Sequence, residues 1–281
     1  MEKESSRYWI DKFDLFCVKG KDSKRFLNGI TTSNISSNDN NIIKTCWLTP
    51  TGNLRAMLEI YNNSNESNGL LVLVLIGDVN EIKNYCLDLI FPSDDITLGD
   101  TYSSYRLQEI DNLNQWRKFN PILLSEMNYR NYCLENKLDL LSCEELKEWK
   151  VNQAIPRFKT EVNGKNNPLE LGLSDLIDFN KGCYLGQETM AKLKNVSFLK
   201  QEIRVWKSTC KSKNLNLDDN KIFLDNTKKE VAGLITSFDQ SKDLNYHGLV
   251  FIKKKYLQIY FFYSDQFGKI KINKSIGSVF L

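Results

Sequence analysis

The sequence predicts an α+β protein that ends in a small all-β unit. Three observations carry this. Up to about residue 195 the pattern runs strand, helix, strand, strand, and then further helix, an order that favours an α+β domain with mostly antiparallel pairing. From about Glu202, five strand-like stretches follow one another: QEIRVWKS, VAGLITSF, GLVFIKKK, LQIYFFY and KIKINK. Polar turns separate them and no helical period intervenes, which makes a small barrel or sandwich. The change of texture places a boundary near residues 195–200, dividing 1–196 from 197–281. No internal repeat is visible.

The elements follow in order. After FCVKG, Asp22 can cap a short helix SKRFLNG that ends at Gly29, with Phe26 and Leu27 facing inward. An Asn/Ser-rich loop spans Ser33 to Asn41. Ile42–Leu48 and Leu54–Tyr61 are the arms of a hairpin around the turn Thr49-Pro50-Thr51-Gly52, and NNSNESNG is a surface loop. Leu70–Ile76 is apolar throughout and reads as a strand buried on both faces. Asp78 opens a helix with Val79, Ile82, Cys86, Leu89 and Ile90 on one face, stopped by Pro92. Residues 99–134 hold short strands and loops. Ser142 and Glu145 form a capping box for a helix running to about Ala154.

Composition narrows the function. The net charge of +3, from 38 basic and 35 acidic residues, gives no concentrated basic surface, so no direct nucleic-acid partner is expected. The run Lys253-Lys254-Lys255 reads as a solvated strand end or turn. The charged start MEKESSRYWIDKF lacks the apolar core of a secretory signal, and no stretch approaches the ~20 apolar residues of a membrane helix. A cytoplasmic protein, or the soluble content of an organelle, with no membrane partner is the expectation. The seven cysteines are scattered, no CxxC pair exists and His247 is the one histidine. That argues against a disulfide framework and against a preformed zinc or iron–sulfur site. Cys86 reads as core packing, and His247 as a turn residue in the barrel loop NYHG.

One cysteine stands apart. In KGCYLGQE, residues 181–188, Cys183 lies between Gly182 and Gly186, with Lys181 before it and a helix start, QETMAKL, after it. Unpaired N–H groups at a helix start and a lysine charge both favour thiolate over thiol, and glycines let the backbone approach a ligand. From spacing alone, a functional thiol and a tightly turned structural loop both remain open.

KGCYLGQE resembles the signature of the YgfZ family, folate-binding relatives of the glycine-cleavage T-protein that support iron–sulfur enzymes. The resemblance extends in order along nearly the whole chain. VKGKDSKRFLNGITTSN is similar to the family's N-terminal pattern, LTPTGNL to its hairpin turn, Ala154-Ile155-Pro156 to its Gly-Ile-Pro, and VAGLITS to a barrel-strand motif. It implies a T-protein-like fold, with two interleaved α+β units in 1–196, a C-terminal β-barrel in 197–281, and tetrahydrofolate bound in a central hole. It implies as partners folate and iron–sulfur enzymes or assembly proteins, including radical enzymes that thiolate tRNA. Carried over by position, Cys183 is the reactive thiol, and Lys181 its charge partner or an anchor for the folate's acidic tail. Gly182, Gly186, Gln187, Glu188, Asp22, Thr32 and Asn34 join Lys181 as cofactor-binding residues. Three positions depart from the family pattern: Lys150 and Lys192 replace common arginines, and Ala154 replaces glycine.

Rival readings are distinguishable. A true aminomethyltransferase places acids just after the glycine turn, where this chain has Asn53-Leu54-Arg55-Ala56; Glu59 is the nearest carboxylate and falls on the opposite strand face from Leu54, Ala56 and Leu58. T-proteins are also usually much longer. A non-enzymatic adaptor needs neither folate nor thiol. A Cys/His hydrolase has only His247 to serve as its base, and that residue reads as a turn position in NYHG; no nucleotide-binding glycine motif appears. One thiol cannot hold a stable cluster alone, so any metal role is transient, shared with a partner, or indirect through folate chemistry.

Overall fold

The computed structural model describes residues 6–35, 42–62, 69–110, 116, 120–194, 199–209, 220–241 and 245–273. Cys210, most of the Ser33–Asn41 loop and most of NNSNESNG lie outside these residues. The chain divides into two discontinuous units. One comprises Met1–Leu141, Val162–Lys165 and Asp175–Lys194; the other comprises Ser142–Glu161, Asn166–Ser174 and Asn195–Leu281.

The first unit is built on β1 (Arg7–Lys19), a strand far longer than FCVKG alone indicates. Lys12 and Asp14 are exposed on its first half while Trp9 is buried, so its charged residues disguise the alternation. Next comes α1 (Ser23–Ile30), with Leu27 buried and Phe26 partly so. Asp22 occupies its N-cap position without capping it: the carboxylate accepts from the Asp95 N–H at 3.0 Å and fastens a distant turn instead. The hairpin forms as read, from β2 (Ile43–Leu48) and β3 (Leu54–Asn62), with Gly52 at φ +81° in the turn. β4 (Leu70–Ile76) is buried along almost its whole length. α2 (Val79–Leu89) starts where Asp78 accepts from the N–H groups of Asn80 and Glu81, and it buries Val79, Ile82 and Cys86.

The stretch 97–140 supplies β5 (Thr97–Leu98), β6 (Tyr102–Ile110), β7 (Ile122–Leu124), α3 (Tyr129–Glu135) and β8 (Asp139–Leu140). The sheet order is β2-β3-β4-β1-β6-β7, with β5 and β8 also on β1. All pairings in it are antiparallel except β1 with β8. One face carries Phe16, Val18, Trp47, Ala56, Leu58 and Val72 into a core shared with α1 and α2. Burial of such side chains contributes roughly 1.5–3 kcal/mol each. The unit is completed by α5 (Gln187–Leu193).

The second unit begins with α4 (Cys143–Asn152), whose N-terminus carries the capping box of Ser142 and Glu145. Its C-terminus is a Schellman turn: Ala154 N–H donates to Val151 O at 2.8 Å, and Ile155 N–H to Lys150 O at 3.0 Å. Ala154, at φ +46°, therefore adopts the left-handed conformation that glycine favours. Six strands then close a barrel: β9 (Gln201–Ser208), β10 (Lys221–Phe223), β11 (Val231–Gln240), β12 (Tyr246–Lys253), β13 (Phe261–Ser264) and β14 (Gly268–Ile272). Their order is β10-β11-β12-β9-β14-β13, around Trp206, Ile222, Val250, Phe262 and Ile270.

Three local readings are corrected. β10 is only three residues long and carries no alternation to read, so five strands were expected where six close. The strand in LQIYFFY is only its end, Phe261 onward, and a 3-10 turn at Lys254–Tyr256 takes up the last two lysines of the preceding run. His247 lies inside β12, 4% exposed, rather than in a turn.

Candidate functional site

Cys183 is exposed, not in a disulfide, and mounted on a heavily anchored loop. Lys181 is 8% exposed, and its ammonium donates to the carbonyl oxygens of Asn28 at 2.7 Å, Thr31 at 2.9 Å and Ser33 at 2.8 Å. An ammonium has three protons, so all are taken. Burial lowers its pKa to about 8, with Asp178 opposing the shift. Leu185 N–H donates to Gly29 O at 3.1 Å, tying the far side of the loop to the end of α1. Tyr184 is buried between them, its ring 5.4 Å from the Lys181 nitrogen and its phenol pushed up to about 12, mainly by desolvation.

Two glycines bring the loop against the β2–β3 turn. A Cβ on Gly186 would stand 2.8 Å from Thr49 O, and one on Gly52 would stand 2.6 Å from Thr189 Cβ. Both have φ +81°, so the close approach and the backbone conformation require glycine together.

Above this base runs an open groove of about 590 Å³, within the range of small-ligand sites. Phe26, Ile30, Leu89 and Phe91 supply its apolar lining, Cys183 its thiol and Arg25 its cation. Arg25 is exposed and pairs with Asp94 at 2.9 Å and Asp22 at 3.3 Å.

The other residues singled out in the sequence sit as follows. Thr32 is buried and its hydroxyl donates to Leu176 O at 2.6 Å. Asn34 is half-buried. Gly182 is exposed, with nothing within 4 Å of an added Cβ. Gln187 starts α5 and donates its N–H to Tyr184 O at 3.1 Å. Glu188 is exposed and pairs with Lys192 at 2.7 Å; the hydrogen bond from Lys192 holds its carboxyl below the usual range. The segments 22–34 and 181–188 thus meet within the first unit, joined through Lys181 and Leu185.

Three chemically notable groups were not singled out as site residues. Glu59 and Arg106 form a fully buried bidentate pair at 2.7 and 2.7 Å, with the Arg106 guanidinium 4.6 Å from the Trp9 ring. Desolvation opposes ionisation of Glu59, yet Arg106 holds its carboxyl below the usual range. In the second unit, Glu170 is buried and its carboxyl is raised by desolvation, as catalytic acids often are. His247 faces Asp239 on β11 and Lys207 on β9, and burial lowers its pKa against the pull of Glu148 and Asp239. The signal for Arg106 was its place in YSSYRLQEI, a lone cation between Tyr105 and Leu107 in an alternating strand. Nothing local marks Glu170.

Among the described residues, no group of three His, Cys, Asp or Glu side chains is placed to hold a metal ion, and no helix is long and apolar enough to cross a membrane.

No family model matches the chain. It is 34% identical over 107 residues to a chloroplastic protein of Arabidopsis thaliana described as "Putative transferase", covering 38% of this chain and 23% of that protein. The chain thus spans less than a quarter of this relative's length. It is 26% identical over 199 residues to an uncharacterized protein of Haemophilus influenzae, covering 66% of this chain and 67% of that one. Among solved structures, it superposes on aminomethyltransferase T of the glycine cleavage system from Bartonella henselae with a TM-score of 0.72. That match covers 97% of this chain and 86% of the other at 9% identity. The fold, an α+β region with a C-terminal barrel, is that of the glycine-cleavage T-protein.

Proposed function

We propose that this T-protein-like chain is a folate-binding protein that supports the assembly or repair of iron–sulfur enzymes, including tRNA-thiolating radical enzymes, through Cys183. The observation that carries the reading is the mounting of Cys183: an exposed thiol in a ligand-sized groove, on a loop held by Lys181, Leu185 and two obligatory glycines. A purely structural loop has no use for an accessible thiol at its crest.

Aminomethyl transfer is the weaker alternative. The strand after Gly52 offers Glu59 as its carboxylate, and Arg106 engages both of its oxygens. An acid paired in this way and fully buried is not presented to a folate nitrogen.

The residues present bear on folate unequally. Lys181 cannot meet the acidic tail, because its three donors are committed to backbone carbonyls. The residues that fit a folate line the groove: Gly182, where an added Cβ meets nothing, and the exposed cation Arg25; Gln187, half-buried at the start of α5, lies outside that lining. When bound, tetrahydrofolate supplies one-carbon chemistry; the protein's part is to present these groups and the thiol. An iron–sulfur cluster is cargo in this scheme, and one thiol contacts it only in company with a partner's ligands.

Two experiments test the reading. A thermal-shift titration with reduced folates should raise stability by about 2.7 kcal/mol at a hundredfold excess over Kd. No shift at millimolar ligand removes the folate half. A strain lacking the gene, complemented with wild type or Cys183→Ala, is assayed for iron–sulfur enzyme activity and thiolated tRNA nucleosides. Full complementation by Cys183→Ala removes the thiol half.

A further inference from the structure

We propose that Lys181 is a positioning residue for Cys183, building the groove by stapling the end of α1 to the 181–185 loop, and is not the thiol's charge partner. The inference rests on the reading of Cys183 as the working thiol, and it reassigns the residue beside it.

The geometry argues for this in three steps. First, the three acceptors of the ammonium, Asn28, Thr31 and Ser33, converge from one turn and exhaust its donors at 2.7–2.9 Å. A cation so satisfied has no proton left for a sulfur. Second, the staple bears directly on the groove: Asn28, Gly29 and Ile30 from the end of α1 line it together with Cys183 and Leu185 from the loop. The Leu185 N–H to Gly29 O bond is the second tie between the same two segments. Removing Lys181 leaves one tie where there were two. Third, only an ammonium suits the site. Three carbonyls around one nitrogen match a tetrahedral donor, whereas a planar guanidinium spreads its donors over a fork. Burial lowers the pKa of the ammonium to about 8, and the Asp178 charge opposes that shift.

The test uses the full chain with wild-type, Lys181→Met and Lys181→Arg proteins. Alkylation of Cys183 is followed by mass spectrometry across pH, with the exposed Cys143 as internal reference. Two reagents are compared, N-ethylmaleimide and N-phenylmaleimide. In the wild type the phenyl reagent should gain about fivefold at Cys183 over Cys143, the effect of burying roughly 40 Å² of ring in an apolar groove. In both variants that preference should be lost, while the pH midpoint at Cys183 moves by less than ~0.2 units. A midpoint raised by ~0.5 units or more with the preference retained makes Lys181 a charge partner and overturns the proposal. So does retention of both.

Should the variants fail to fold, Cys183→Ser decides the matter. The Lys181 ammonium is followed by nitrogen-15 NMR in wild type and in this variant. A positioning residue titrates identically in both, whereas a charge partner loses its thiolate and titrates lower. None of these measurements requires folate or an iron–sulfur enzyme, so failure of the functional reading leaves them interpretable.

Discussion

Replacing Arg106 by Met should destabilise the first unit by about 3–5 kcal/mol, because it leaves the Glu59 carboxylate buried without its counter-charge. Both side chains are 0% exposed, and two parallel bonds of 2.7 Å join them across the two strands, β4 and β1, that separate β3 from β6. The guanidinium also donates to Gln108, and Tyr61 donates to Glu59 at 2.8 Å, so four side chains share the network. Glu59→Gln should cost a similar amount, since it leaves a buried cation, one of whose nitrogens already has no partner. The double change Glu59→Leu/Arg106→Met removes both charges. It strands Gln108 and Tyr61 at about 1–3 kcal/mol each, while the apolar replacements recover part of that. It should therefore cost less than the two single changes added together. Whole-domain stability is only ~5–15 kcal/mol, so the single variants sit near the limit of folding. Two units preclude a single two-state transition; amide exchange in β3 and β6 is the suitable assay. If either single variant costs under ~1 kcal/mol, or the double variant costs the sum, the pair is not the buried, mutually dependent unit described.

The same pair sets an acid limit. The Glu59 carboxyl is held below its unfolded value, so its contribution is present above pH ~4.3 and lost as pH falls through the lower folded value. That loss should vanish in Arg106→Met. Ala154→Gly should stabilise the second unit by about 0.5–1 kcal/mol, the left-handed strain relieved less the added freedom of the unfolded chain; urea midpoints check this, and a loss would mean the turn is not strained. Gly186→Ala should destabilise the first unit by about 2–3 kcal/mol through the 2.8 Å approach to Thr49 O and the positive φ; an unchanged thermal midpoint would show that the loop does not press on the hairpin. His247, the sole histidine, gives one imidazole NMR titration. Its pKa should lie below the usual value and fall further in Glu148→Gln, because the Glu148 charge raises it. Stability from its neutral form is present above pH ~6.5 and declines as pH falls through the folded value.

Much of this was legible because local rules and tertiary packing agree. The 70–76 run is continuously apolar and is buried almost throughout; Ser142 and Glu145 meet the capping-box spacing and form one. Alternation in Leu54–Tyr61 correctly set Glu59 apart from Ala56 and Leu58, which enter the helix-covered core. What alternation could not supply was the Glu59 partner, because Arg106 comes from a strand 47 residues later. Asp22 shows the converse failure: residue type and position both predict a cap, but the Asp95 N–H takes the carboxylate. At the site, the loop, the helix start and the exposed thiol were readable from KGCYLGQE. The use of Lys181 was not, since its acceptors are main-chain carbonyls 148–153 residues away that carry no side-chain signal.

The discontinuity of the two units has a consequence for the order of synthesis. The first unit receives its final segment, Asp175–Lys194, only after Ser142–Glu161 and Asn166–Ser174 of the second have already been made. The hairpin turn at Gly52 and the turn at residues 28–33 must therefore wait, unclasped, while more than a hundred residues are added after them. Long-range closures of this kind are slow, and the incomplete intermediate leaves apolar surface uncovered. The KGCYLGQE segment is thus the clasp that finishes the first unit, and a nascent chain acquires its thiol groove at the moment that unit becomes whole.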